Sequence, residues 1–195
     1  MRQDDDPPPP IASPPGGARR LALHACCAVC AGTVIESLLA AGLEPVVVFA
    51  NANIDTYEEY RRRLADVERF CAQRSVACVA LDHRPAVWAA AVAGLEDEPE
   101  RGARCGVCFR FRLARAAAWA ADNQIGLLAT TLGIARMKDL AQVHAAAAAA
   151  VADYAGVDFW PHNWRKRGGA QRMYRVAARA DLYRQNYCGC WYSRR

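Results

Sequence analysis

Seven of the nine cysteines in this chain fall into three short groups. The first is Cys26, Cys27 and Cys30, the second Cys105-Gly-Val-Cys108, and the third Cys188-Gly-Cys190. Thiolates are soft metal ligands and carry reversible redox chemistry, so the pattern predicts a metal and redox centre. Adjacent cysteines do not easily bridge each other, but two thiolates from one loop can ligate neighbouring irons of a cluster. A Cys-x-x-Cys pair lets both sulfurs reach one metal or one cluster as a helix begins. Cys26, Cys27, Cys105 and Cys108 therefore make a four-thiolate set, the usual complement of an iron–sulfur cluster. Structural zinc is the competing occupant. A Cys-Cys pair is poorer zinc geometry than a second Cys-x-x-Cys, so spacing favours the cluster.

Cys30 is either a ligand to a second metal beside the cluster or the inward residue of a first helical turn. Cys71 and Cys78, on an apolar helix face and inside a strand, read as small core residues. Cys188 and Cys190 can close a small disulfide if the residue between them tolerates an unusual backbone conformation, as glycine does. Such a ring is strained and easily reduced, the property of a working disulfide; the alternative is a pair of extra metal ligands. The four histidines, His24, His83, His144 and His162, are scattered without metal-ligand spacing. No Walker loop and no GxGxxG occurs.

The elements that position these groups read as an α/β fold. A short apolar strand ending at Ala25 runs straight into the first cysteines. Pro45–Ala50 is a continuous apolar run suited to a buried parallel strand, and Val76–Leu81 and Ile125–Thr131 are further strands. Helical stripes lie between them: Ile35, Leu38 and Leu39, with Thr33 and Glu36 at capping-box spacing unless the helix starts earlier, and Gly42 as the stop; Tyr57, Tyr60, Leu64, Val67 and Cys71; and Phe109, Leu113, Ala116 and Ala120. A helix near Val87–Val92 and an alanine-rich helix over Ala141–Ala152 complete the alternation. It predicts a parallel sheet with helices on both faces, whose ligands gather beyond the carboxyl ends of the strands. Residues 1–17, rich in proline, are expected to be a disordered tail, and residues 18–195 a single domain.

Hydrophobic residues make up 53% of the chain, and no apolar run approaches membrane-spanning length. Clustered thiols without a secretory leader predict a cytoplasmic protein. The net charge of +5 is modest but lopsided: from Pro161 onward nine basic residues face only Asp181. Arg165, Lys166, Arg167 and their successors alternate with Trp164, Tyr174, Tyr183 and Tyr187. This suits a phosphate-rich partner whose bases stack, or else a solvated arginine-rich surface.

These motifs resemble the QueH family of epoxyqueuosine reductases. The resemblance runs from about Leu21 to Ser193. It is carried by His24-Ala-Cys-Cys-Ala-Val-Cys30, Asn51-Ala-Asn-Ile54, Glu59-Tyr60 with Arg63, Cys105-Gly-Val-Cys-Phe109 with Arg112-Leu113, Thr130-Thr-Leu132, and Tyr183-Arg-Gln-Asn-Tyr-Cys-Gly-Cys190 with Ser193. It implies reduction of epoxyqueuosine at the tRNA wobble position to queuosine, in a domain resembling the nucleotide α-hydrolase (HUP, PP-loop-like) type. It places 4Fe–4S ligands at Cys26, Cys27, Cys105 and Cys108, and a redox-active pair at Cys188 and Cys190. A further iron or zinc ion is associated with the family, with an aspartate in some members near the position of Cys30. Ala52 stands here where proline is common. tRNA and an external electron donor are the implied partners.

Two other classes fit parts of the pattern. A tRNA-sulfurating enzyme of the PP-loop type needs an ATP pyrophosphate loop after the first strand, where this chain has His24-Ala-Cys-Cys. A zinc-stabilised RNA-binding module accounts for four cysteines and the basic end, but not for Cys188-Gly-Cys190.

Overall fold

The alternation of β-branched runs and helical stripes produces a five-stranded, all-parallel sheet in the computed structural model, which describes residues 7–194. The strands are β1 (Arg20–His24), β2 (Glu44–Phe49), β3 (Ala77–Ala80), β4 (Leu127–Thr130) and β5 (Asp158–Phe159), in the order β3-β2-β1-β4-β5. β1 lies at the centre, with Leu23 opposite Val47 of β2 and Ala129 of β4. Because side chains alternate across a strand, Leu21, Leu23, Val47 and Phe49 turn towards α1 (Ala28–Ala40) and α2 (Tyr57–Ala72). Ala22, Val46, Val48 and Leu128 turn the other way, onto Ala116, Ala117 and Ala120 of α4 (Ala103–Asp122). Full burial of each larger aliphatic side chain contributes about 1.5–3 kcal/mol. The remaining helices are α3 (Pro85–Ala91), α5 (Leu140–Val151) and α6 (Gly169–Arg179); α5 packs on α4, and α6 on α1.

From β1 the chain moves outward to β2 and β3, then crosses back to β4 on the other side. The turns after β1 and β4 therefore diverge and leave a crevice between them, the usual ligand position in such sheets. The first cysteine group opens directly into it.

Local expectations sharpen or change. Of the two starts open for α1 the earlier one holds, so Thr33 and Glu36 do not cap it. The helix starts after Cys27, whose backbone is extended (φ −170°, ψ 164°), and both residues lie inside it. Leu39 is 37% exposed and Tyr57 64% exposed, because each sits at a helix end beyond the packed face. Two elements were not expected at all. β5 has two residues, too few for a periodicity. α6 hides its apolar face, Ala170, Met173, Val176 and Ala177, among arginines. Gly42, by contrast, ends α1 with φ +72°, and Thr56 caps α2 by accepting from the Glu59 amide at 3.2 Å.

Of the proline-rich tail, residues 1–6 lie outside the described residues. Pro10 offers its carbonyl to Arg167 at 3.1 Å, and Ile11 packs on the main core. Between this segment, α1 and residues 160–169 is a cavity of about 570 Å³, separate from the cysteine crevice.

Candidate metal and redox centre

The β1–α1 turn brings Cys26, Cys27 and Cys30 together, with their sulfur atoms all within 4.8 Å of one another. The cause is local. Cys27 is the last extended residue, and Cys30 follows one helical turn later on the same face. All three are buried. Cys26 is anchored to the β4 turn, where the Thr131 hydroxyl accepts from its amide at 3.3 Å and lies 3.6 Å from its sulfur. Hydrogen bonds from Cys27 and Cys30 hold the Cys26 thiol well below its ordinary pKa, and the same bonds push the other two up. An all-sulfur, desolvated donor set of this kind fits a soft metal.

His24 supports the turn from below. Its Nε2 lies 3.3 Å from the Ala50 carbonyl, which can only accept, so Nε2 carries the proton and Nδ1 accepts from the Thr130 hydroxyl at 2.9 Å. Burial, then the neighbouring Arg112, lower its pKa to about 3, so the ring is neutral. Arg112 is itself buried. It donates from Nη2 to Asn51 Oδ1 and from Nε to the Ala50 carbonyl at 3.4 Å, and pairs with no carboxylate among the described residues. Asn51 in turn donates to the Ala25 carbonyl at 2.8 Å, which ties the ends of β1 and β2 together.

Cys105 and Cys108 lie near the start of α4. The Arg101 amide donates to the Cys105 sulfur at 3.3 Å, and Cys108 packs with Ala52, Trp88 and Val92. Burial pushes the Cys108 thiol up to about 12, with Arg112 opposing and Cys188 adding to the rise. These two sulfurs stand outside the compact trio.

The third group arrives on the irregular segment after α6, fixed by side chains of α2. Arg63 donates to the Cys188 carbonyl at 2.9 Å and the Tyr187 carbonyl at 3.3 Å, and pairs with Glu59 at 2.6 Å. Tyr183 and Tyr187 hydroxyls reach Glu59 at 3.2 Å and Asp55 at 2.8 Å, and Arg194 pairs with Asp55 at 2.6 Å. Gly189 has φ +131°, and its carbonyl accepts from the Asp55 amide at 2.9 Å. A Cβ on it would sit 3.1–3.2 Å from Asn53, Arg63 and Ile54, so glycine suits both the conformation and the space. Cys188 and Cys190 are free thiols. Cys188 lines two small cavities of the crevice: one of about 220 Å³ with Cys30 and Lys138, and one of about 20 Å³ with Cys105 and Lys138.

Sequence reading missed Lys138, since an isolated lysine carries no motif. It lies half-buried on the turn after β4. Burial alone would lower its pKa, but the charges of Cys188, Cys26 and Cys30 outweigh that and hold it above its ordinary value. The basic C-terminal segment is also redistributed. Arg172 is buried against Glu36 at 2.6 Å, Arg179 reaches the same carboxylate at 2.6 Å, and Arg165 binds the carbonyls of Ala135 and Lys138. Lys166 and Arg184 remain exposed. Cys71 and Cys78 lie away from the crevice, beside each other between α2 and β3. Among the described residues no helix is long and apolar enough to cross a membrane.

With this geometry in place, comparison with known proteins is specific. The family model described as "Epoxyqueuosine reductase QueH" matches residues 21–195. Relatives bearing that name include one from Acinetobacter baylyi, 39% identical over 176 residues, covering 90% of this chain and 81% of that protein. One from Histophilus somni is 40% identical, covering 90% and 72%, and one from Thermotoga maritima is 30% identical, covering 88% of each. The chain belongs to the QueH family of epoxyqueuosine reductases.

Proposed function

We propose that this chain reduces the epoxide of epoxyqueuosine in tRNA, leaving the alkene of queuosine. The observation that carries the reading is the convergence of three cysteine groups on one crevice, with the Cys188-Gly-Cys190 loop docked beside the other two. The names of the relatives support the substrate.

Removing an epoxide oxygen as water takes two electrons and two protons. Cys188 and Cys190 supply both when two thiols become one disulfide, which an external donor then reduces. Cys26, Cys27, Cys105 and Cys108 would hold the 4Fe–4S cluster, and Cys30 would ligate an additional iron or zinc ion. When bound, such a centre supplies single-electron transfer and Lewis acidity. The chain's own residues prepare the site. Arg112 offsets the negative charge of thiolates at the end of β1. Arg63 orients the Cys188 backbone, and Gly189 permits the close approach. Trp88, Trp191 and Tyr192 form an aromatic wall beside Cys108 and Cys190. Exposed Lys166 and Arg184 offer charge to tRNA phosphates. A tRNA substrate also supports a cytoplasmic location.

The test is a single turnover without reductant, using protein purified without oxygen and tRNA carrying epoxyqueuosine. The expected result is queuosine together with a Cys188–Cys190 disulfide, read by mass spectrometry of nucleosides and of alkylated protein. Stoichiometric zinc, no iron or sulfide and no product would favour a zinc-stabilised RNA-binding module, a reading the compact sulfur trio also suits.

A further inference from the structure

We infer that Lys138 is a catalytic residue of this centre, its ammonium group facing the epoxide oxygen as negative charge develops there. The inference rests on the proposed epoxide reduction. Lys138 stands in the connection between β4 and α5, two residues before the first residue of α5, and lines the same cavity as Cys30 of the β1–α1 group. It lines both thiol cavities, the one with Cys30, Tyr187 and Cys188 and the one with Cys105, Phe109 and Cys188. It is therefore shared by all three cysteine groups.

Its backbone is held from both directions. Arg165 Nη2 donates to the Ala135 carbonyl at 2.6 Å and the Lys138 carbonyl at 2.7 Å, and the Lys138 amide donates to the Ala135 carbonyl at 3.1 Å. On the other side, Asp139 caps α5 by accepting from the Gln142 amide at 3.0 Å. This is more fixation than a surface lysine needs. The ammonium group itself has no ion pair or hydrogen bond among the described residues, although Glu100 lines the same cavities. Of the other cations near the thiols, Arg112 is sealed beneath the sheet end with its donors turned to Asn51 and Ala50, and Arg101 and Arg104, which line the smaller cavity, donate to the carbonyls of Met137 and of Leu95 and Glu96. Lys138 lines both cavities and, among the described residues, its ammonium group is the one of these cations with no partner.

The chemistry needs such a group. Breaking the first C–O bond of the epoxide places negative charge on oxygen. Breaking the second leaves the alkene and releases the oxygen. The two electrons and the two protons that complete water come from the Cys188 and Cys190 thiols, which end as a disulfide. Lys138 begins and ends as an ammonium ion, and its contribution is a fixed charge aimed at the oxygen.

The experiment compares wild type, Lys138→Met and Lys138→Arg, each purified without oxygen. Three quantities are measured: iron and sulfide content, affinity for tRNA already carrying queuosine, and the single-turnover rate on epoxyqueuosine tRNA. Lys138→Met should match wild type in the first two and turn over about 100-fold more slowly. Lys138→Arg should recover part of that rate. An unchanged rate in Lys138→Met overturns the inference. So does loss of iron, which would make Lys138 a counter-charge to the metal site, or weaker binding of product tRNA with a normal single-turnover rate, which would make it a phosphate anchor. An arginine variant no faster than the methionine one removes the role of charge. Failure of wild type to convert the substrate counts against the proposed function, separately from any of these.

Discussion

Two loops deliver sulfur to the same crevice, and they are built in opposite ways. The β1–α1 turn holds Cys26, Cys27 and Cys30 between a largely buried strand and the first turn of a buried helix, so its geometry follows from nearest neighbours in sequence. The Cys188-Gly-Cys190 loop has no regular structure. It is held by polar side chains of α2 more than 120 residues away, chiefly Arg63 and Glu59. Apolar packing makes a rigid ligand platform; a handful of charged hydrogen bonds makes a docked arm. The difference suits the proposed division into a half that holds the metal and a half whose Cys188–Cys190 pair cycles between dithiol and disulfide.

Separate failure of the two halves tests that division. The largest effect should come from Cys108→Ala, which removes one of the four thiolates assigned to the cluster. Visible absorbance and all activity should be lost together. A full cluster in the variant would take Cys108 out of the ligand set and leave the compact trio as the metal site.

Arg63→Met attacks the other half. It cuts the two bonds from Arg63 to the backbone of the arm, at the Tyr187 and Cys188 carbonyls, and leaves the Glu59 carboxylate without its ion-pair partner, with the Tyr183 hydroxyl remaining. Breaking such a pair costs about 3 kcal/mol. Iron and sulfide content should stay normal while turnover falls at least tenfold, the reverse split from loss of a ligand. Normal turnover on normal iron would mean that the loop finds its place without α2.

The same contrast explains what was legible beforehand. β1, β2 and the α4 stripe could be read because Leu23, Val47 and Leu113 repeat at strand or helix periods, and the three cysteine groups because spacing within a turn is local. Their convergence is partly foreseeable once the parallel sheet is recognised, since every βα turn opens at one end. The arm was not legible. Nothing in the order of residues says that Arg63 will meet Cys188, or that Glu36 will collect Arg74, Arg172 and Arg179. Counting charges along the chain left Asp181 as the sole acidic neighbour of the basic end. In space Glu36, Glu59 and Asp55 meet it from α1, α2 and the turn before α2, so several expected RNA contacts are struts instead. Lys138 escaped notice for a related reason, because its setting is created by Arg165 and by sulfurs from distant segments.

A smaller, more local disturbance of the arm is Gly189→Val. The side chain would meet Asn53, Arg63 and Ile54 and would oppose φ +131°. Iron content should be unchanged, and closure of the Cys188–Cys190 disulfide under mild oxidant should slow severalfold, measured by alkylation and mass spectrometry. Closure at the wild-type rate would show that the ring forms from another backbone conformation, and that the arm undocks before it closes.

Cys71→Ala should have the smallest effect, and it checks that the two-part division is complete. Cys71 is fully buried on the inner face of α2, in the same helix that carries Arg63 and Glu59, with Cys78 of β3 as its neighbour. Hydrogen bonding to Cys78 raises its thiol pKa, and burial adds to the rise, so it stays protonated and behaves as a small apolar group. Replacing it removes one sulfur from a packed site and should cost about 1–2 kcal/mol of stability, read from denaturant unfolding. Iron content, absorbance and single-turnover rate should match wild type, because α2 acts on the arm through side chains two and three turns away. If instead turnover falls with iron intact, the packing of α2 is transmitted to the arm, and its docking depends on more than the Arg63 and Glu59 struts. If iron is lost, the ligand platform leans on α2 as well, and the two halves are not separable.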